Sequence, residues 1–395
     1  VNDLFGSTLT QQIFHQYVHK LAPVCPVVVF PPGTTSDCVR KTKPLLFIAI
    51  LSVAPAGLCT QDQHRQLALE VRNFLAETAI FEGEKSLQLI QALLVVTFWY
   101  RAPENFARTN QNQLASVALS IAIDLGLDRI EGTGTANLAG LPSLSLIMRR
   151  PNPVVWNPQL DKYVEDLRQS RLSPTDEFFC NLLATEHSCH LADEQLSLSD
   201  PSKSVSLWEP NRLSITETIQ ARADGLSLDR HSPLEKSLVK FGRLASSLYA
   251  HELALHANHN IDEFRAPFFA KSIKSISFLD TRASDTAYLS MIRTIIMAAQ
   301  GLLDTFLDLS ISEMLSLPPH IYAGRVIYAA TLLMKLHKAL LASASEVHET
   351  ISVGLLRLEA YIDRLVLVSK QLSAEDQRSS LSRAFLIMPQ FKEWL

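Results

Sequence analysis

The chain has 395 residues, 47% of them hydrophobic and 19% charged, and a formal net charge of −4. It is long and apolar enough to bury a large core, which excludes an extended disordered chain. With 36 Lys and Arg against 40 Asp and Glu, the balance excludes a broad basic face that neutralises phosphates.

The first residue is valine, so the sequence is read as a fragment of something longer, and no signal-peptide pattern opens it. Val27 to Phe30 is β-like in composition, but Pro26, Pro31 and Pro32 enclose it, which predicts an extended connection. The densest basic spot, Arg40, Lys41 and Lys43, is read as a solvated loop. The run Leu45 to Ala54 is too short to span a bilayer and is closed by Pro55; it predicts a buried helix. A helix is expected from Gln66 to Phe81, with Leu67, Val71, Phe74, Leu75 and Thr78 on one face. Ser86 to Trp99 is apolar nearly all round and belongs at the centre of a bundle. The cleanest periodicity is Leu114, Val117, Ala118, Ile121, Ala122 and Leu125, with Gly126 as its stop.

Asp128 to Ser143 holds Gly132, Gly134, Gly140 and Pro142 and is read as a loop. Ser173-Pro174-Thr175-Asp176 and Ser232-Pro233-Leu234-Glu235 each supply a capping hydroxyl, a proline and an acid three residues on. They predict helices behind them, over Glu177 to Leu196 and Leu234 to His256. Further helices are expected over Tyr288 to Leu309, Arg325 to Leu341 and Ile351 to Leu372. Ser197 to Asp229 is rich in Ser, Thr and Asp and is read as a linker. The predicted fold is all-α, a large irregular multi-helix bundle of two abutting lobes, 1–196 and 230–395.

Chemical motifs are scarce. The five cysteines, Cys25, Cys38, Cys59, Cys180 and Cys189, are odd in number and widely spaced, which predicts buried reduced thiols. His187 and His190 share a helix face, but Cys189 points elsewhere and further ligands are lacking. His251, Glu252, His256 and His259 miss the four-residue spacing that lets two imidazoles converge on one zinc. His15 and His19 have that spacing without the glutamate. Gly132-Thr133-Gly134 follows a helix and lacks the lysine of a phosphate loop. No Gly-x-Ser-x-Gly elbow occurs. Neither a metal site nor a catalytic residue is expected from these patterns.

The order of segments carries more than any motif. Phe14 and Tyr17 precede Pro23-Val24-Cys25-Pro26-Val27-Val28, then Pro44 to Ile50. Ser86 to Leu94 follows, ending in Phe98-Trp99-Tyr100, then Leu114 to Leu127, and Arg149-Arg150-Pro151-Asn152-Pro153 before Trp156. This succession resembles the middle, regulatory region of fungal zinc-cluster transcription factors. Tyr322 to Ala329 looks like the family's C-terminal half. The resemblance is strong over residues 5 to 200 and looser beyond. It implies a nuclear regulator of RNA polymerase II transcription, not an enzyme; the alternative reading of the residues is an α-helical metabolite-binding protein or enzyme without a DNA role. Zinc is expected only in a separate DNA-binding module, since no two cysteines here form Cys-x-x-Cys.

The implied partners are DNA through that module, a second subunit in a homodimer or heterodimer, coregulators or the transcription machinery, and a small-molecule inducer; no membrane is expected. An inducer pocket is expected near Phe98, Trp99, Tyr100 and Trp156. The sequence departs from the family at Gly132 to Leu141, which stands where a helix bearing Arg-Arg and Trp is usual. Leu141, Leu144, Ile147 and Met148 are expected to form a substitute apolar stripe.

Overall fold

Helical spacing in the sequence becomes helix throughout the described chain, and no strand occurs among the described residues. The computed structural model describes residues 6–395 apart from 56, 102, 104–108, 128–155, 201, 204, 205, 207, 257–262, 267, 274–285 and 343–350. The loop expected over 128–143, the stripe at Leu144 to Met148, the Arg149–Pro153 run and His259 therefore lie outside the described residues.

The first helices are α1 (Ser7–Gln16), α2 (Ser36–Thr42), α3 (Pro44–Val53), α4 (Gln61–Ala76), α5 (Leu87–Phe98) and α6 (Gln111–Asp124). Pro44 opens α3 at a position where a missing N–H costs nothing, and seven of its residues from Leu45 to Ser52 are buried. Ser86 caps α5 by accepting from the Leu89 N–H, and every residue from Ala92 to Phe98 is buried. Behind α6, Gly126 takes φ +70°, and the Leu127 N–H donates to the Ala122 carbonyl, as the glycine stop predicts. Val27 to Phe30 is a connection and not a strand, but it bends at Val27 and Val28, where the Val27 N–H donates to the Cys25 carbonyl and the Tyr17 hydroxyl donates to the Val28 carbonyl at 3.0 Å.

The next helices are α7 (Pro158–Ser170), α8 (Asp176–Leu196), α9 (Arg212–Asp224), α10 (Pro233–His251) and the short α11 (Ala270–Ile273). They are followed by α12 (Thr286–Leu307), α13 (Ile311–Ser316), α14 (Pro319–Ala342), α15 (Leu358–Asp376), α16 (Ser380–Ala384) and α17 (Met388–Trp394). Ser232 forms the full capping box of α10 with Glu235. Helix α8 begins at Asp176, one residue before the expected stretch, and Ser173 does not cap it directly: the Ser173 hydroxyl takes the Thr175 N–H, and the Asp176 carboxylate reaches back to the Ser173 N–H.

Several expectations need correction. The segment 197–229 is not all linker, because α9 lies within it and packs between α8 and α10. Its buried residues, Thr216, Ile219 and Ala223, are few and partly polar, so its periodicity is faint. Helix α4 starts at Gln61, behind a capping box formed by Thr60 and Gln63 and earlier than Gln66, and Phe74 is 43% exposed instead of buried. Arg40 and Lys41 lie in the last turn of α2, not in a loop. The helix expected from Ile351 breaks at Arg357, whose φ of 48° separates a 3₁₀ turn from α15. Cys25, Cys180 and Cys189 are buried free thiols, but Cys38 is exposed.

One hydrophobic cluster runs from Ile13 to Phe391 and draws on α1, α3, α5, α6, α8, α10, α12, α14 and α15. A small second cluster, Leu167, Phe179, Cys180 and Leu183, lies between α7 and α8. Among the described helices, Thr286–Leu307 is long and apolar enough to cross a bilayer, and half of its most apolar stretch is buried in the protein. Helix α14 sits at the centre, with Val326, Ala329, Ala330, Leu332, Leu333, Met334 and Leu336 all buried. That placement sets up the polar groups described next.

Candidate functional site

A helix buried on all sides has no water for its charges, so Arg325 and Lys335 of α14 must find partners inside the protein. Arg325 is 1% exposed. Its two terminal nitrogens donate to the two carboxylate oxygens of Glu186 on α8, both at 2.7 Å, the parallel fork of a bidentate pair. Cys189, one turn along α8, lies 3.7 Å from the same guanidinium. Burial works against the arginine's charge, but the Glu186 carboxylate outweighs it and holds the arginine well above its ordinary pKa. Burial pushes the Cys189 thiol up to about 12 despite the cation beside it, and it pushes the Cys25 thiol and Tyr322 phenol up as well. These groups stay protonated and neutral, so the site holds no thiolate nucleophile.

Two further contacts continue the seam along α14. The Tyr328 hydroxyl donates to the fully buried Glu252 at the end of α10, and Glu252 also lies 3.0 Å from His256 Nε2. Tyr249 stacks on Tyr328 at 5.0 Å between centroids. Lys335 donates to Glu263 at 3.0 Å and lies 4.8 Å from the Phe264 ring centre. Burial lowers the Lys335 pKa while Glu263 opposes the shift. The seam therefore ties α14 to α8, to the end of α10 and to the segment after it.

A cavity of about 30 Å³ lies beside Arg325 and Glu186, lined also by Phe98, Phe241, Gly242 and Tyr322. It suits a water molecule; pockets for metabolites run to roughly 300–1,000 Å³. The helices close on it because Gly242 lacks a side chain: a Cβ there would fall 2.4 Å from Thr185 Oγ1.

Of the residues expected to frame a pocket, Phe98, Trp99 and Tyr100 are buried together at the end of α5. Phe98 lines the small cavity and meets His320 at 5.7 Å between rings. The Trp99 indole N–H donates to the Ser316 carbonyl at 2.8 Å, joining α5 to α13. The Tyr100 hydroxyl donates to Asn110 Oδ1 at 2.8 Å and accepts from Arg72 at 3.1 Å. Trp156 stands apart from these contacts: it stacks on His187 at 3.9 Å and donates to Asp161 at 3.0 Å.

The histidine groups make internal contacts. His187 Nδ1 faces Arg222 at 2.9 Å, and burial, then that cation, lowers its pKa to about 3. His251 Nδ1 donates to the Ser247 carbonyl. The exposed His15 of α1 and His19 of the π-helical turn after it, Tyr17–Leu21, have rings 4.0 Å apart. Among the described residues, no group of three or more His, Cys, Asp and Glu side chains is arranged to hold a metal.

A second polar junction joins α4 to the end of α15 and the turn after it. Arg101 lies 2.8 Å from His64 Nδ1 and 3.7 Å from Asp376, while Arg378 reaches Asp62 at 2.7 Å. His64 Nε2 donates to the Ser52 carbonyl, and burial, then Arg101, lowers its pKa to about 3. Sequence reasoning missed both junctions. The available signal was an isolated arginine or lysine in an otherwise apolar run, such as Arg325 and Lys335.

The site thus defines an all-α module held by buried polar seams. Over 252 residues the chain is 27% identical to Transcription factor pbcR of Emericella nidulans, covering 54% of this chain and 34% of that protein. It is 35% identical over 120 residues to Transcription factor himD of Aspergillus japonicus, covering 30% and 19%. It is 21% identical over 358 residues to Transcriptional regulator WAR1 of Candida albicans, covering 82% and 34%. The chain thus spans about a third or less of the length of these relatives. No family model matches, and no solved structure matches. The chain is a homologue of fungal transcription regulators, and the resemblance read from its segment order is borne out at that level.

Proposed function

We propose that the chain is the regulatory module of a fungal transcription factor and acts in the nucleus on RNA polymerase II transcription. The observation that carries this reading is its similarity to three fungal transcription regulators, one of them over 82% of the chain. The acidic net charge and the all-helical fold fit a module that works through proteins. On this reading, DNA contact belongs to a zinc-bearing module acting with the chain. Coregulators, a second subunit and a small-molecule inducer are its further partners, and the chain itself catalyses no reaction. An inducer of metabolite size does not fit the cavity beside Arg325, because about 30 Å³ admits only water.

The test fuses the chain to a heterologous DNA-binding module in a fungal reporter strain. Reporter output is expected to change several-fold relative to the DNA-binding module alone at equal promoter occupancy. Equal output from both fusions overturns the reading.

A further inference from the structure

The outer face of α4 carries apolar side chains that the fold leaves uncovered. The helix buries Leu67, Val71 and Leu75, and its π-helical continuation, Glu77–Phe81, buries Thr78. Leu69, Ala76 and Ile80 recur at i, i+7 and i+11 on the opposite side, and all three are exposed. Ile80 is 62% exposed and its neighbour Phe81 is 85% exposed. Beyond Phe81 the chain reverses at Gly83, with φ +67°, and the Glu84 N–H donates to the Thr78 carbonyl at 3.1 Å. Ile80 and Phe81 are therefore presented from a hydrogen-bonded backbone. A π turn in an otherwise regular helix is itself a common mark of a functional position.

The rim of this face is acidic. Glu70, Glu77, Glu82 and Glu84 are exposed around it. Lys85, the cation beside Glu84, is held by Asp124 at 2.7 Å. Arg72 is drawn aside to the Tyr100 hydroxyl and ring. Arg65 lies at the far end of the helix, a turn before Leu69. Exposed apolar groups rimmed by polar ones mark an interaction site, and the sign of the rim decides among occupants. A second copy meeting this face by two-fold symmetry would set glutamates against glutamates. Anionic lipid and nucleic-acid phosphates are repelled by the same charges.

We propose that this face docks a partner protein offering an apolar groove edged with lysine and arginine, with Ile80 and Phe81 as the inserted anchors. The inference stands on the surface alone and does not depend on the transcriptional reading.

The test places a benzophenone photo-cross-linking amino acid at position 81 of the full chain in a fungal host. The same group at Leu172, which is 79% exposed on another helix end, serves as the control. Position 81 is expected to cross-link one protein that position 172 does not. That protein, purified, is expected to bind the unmodified chain with an affinity that falls as salt rises. The pair Ile80→Ser and Phe81→Ser should weaken binding about tenfold or more, as truncating anchors does. Glu77→Lys with Glu82→Lys should weaken it as well, and neither pair should lower the melting temperature. Cross-linking only to a second copy overturns the proposal. So does labelling no stronger than at position 172, or an affinity indifferent to both charge reversal and salt.

Discussion

Two cation–carboxylate tethers join distant helices of this protein with similar geometry and opposite surroundings. Arg325 grips Glu186 at 2.7 Å inside the core, where the side chains are 1% and 9% exposed. Arg364 of α15 reaches Asp304 of α12 at 3.0 Å on the surface, where they are 44% and 42% exposed. In the first case each charge is hostage to the other, because neither can be rehydrated without opening the fold. In the second, water replaces whichever partner is lost, and the pair contributes little. The length of an ion pair therefore says less about its weight than its burial does.

The largest expected effect comes from breaking the buried tether. Glu186→Gln leaves the Arg325 guanidinium buried without a counter-charge, at an expected cost of about 3–5 kcal/mol. The double change Glu186→Leu with Arg325→Met removes both charges and should recover most of that loss. Chemical denaturation of the variants checks both outcomes. A single variant as stable as the parent would show that water reaches the seam.

Next is the packing that brings α8 and α10 together beside that tether. Gly242→Ala places a Cβ 2.4 Å from Thr185 Oγ1 and 2.8 Å from Thr185 Cβ. Threonine is short and branched on a helix, so it cannot swing clear and the helices must part. The expected cost is about 1–3 kcal/mol, read as a lower denaturation midpoint.

The third test uses pH to compare a buried neutral group with the charged tether. His64 has a native pKa of about 3, below its unfolded value near 6.5, because it is buried and Arg101 faces it. The unfolded chain then binds a proton that the native chain refuses. Its contribution is fully present above about pH 6.5 and is lost as pH falls from there toward 3. His64→Gln should reduce the acid slope of stability in that window by up to about one proton. Equal slopes for variant and parent would show that His64 is protonated in the native state.

The sequence made some of this legible and hid the rest for physical reasons. Helices α3, α5 and α6 and the box at Ser232 stand out because local periodicity and local capping determine them. Phe74 deceived because an apolar residue on the edge of a stripe need not face the core; Leu67, Val71 and Leu75 already fill it. Helix α9 is hidden because, of the residues it buries, Thr216, Ile219 and Ala223, only Ile219 is large and apolar, so no apolar stripe marks it. Glu186 and Arg325 are 139 residues apart, and nothing local says that they meet. Trp99 was legible as an aromatic of the core, whereas its hydrogen bond to the Ser316 carbonyl was not. What the sequence did hold was a single arginine among the apolar residues of Pro319–Ala342, a demand for a buried partner without its address.

The smallest effect completes the comparison. Arg364→Ala removes the surface tether to Asp304 and the longer contact to Asp308 at 3.7 Å. Both carboxylates are then free to take up water, and Asp304 still accepts from the Tyr361 hydroxyl at 2.9 Å. The expected cost is about 0–1 kcal/mol, and added salt should shrink it further by screening the exposed charges. The measurement is the stability difference between parent and variant at low and high ionic strength. A salt-independent loss near the size expected for Glu186→Gln would mean that the α12–α15 contact is dry in solution. The contrast drawn from burial would then fail at its exposed end.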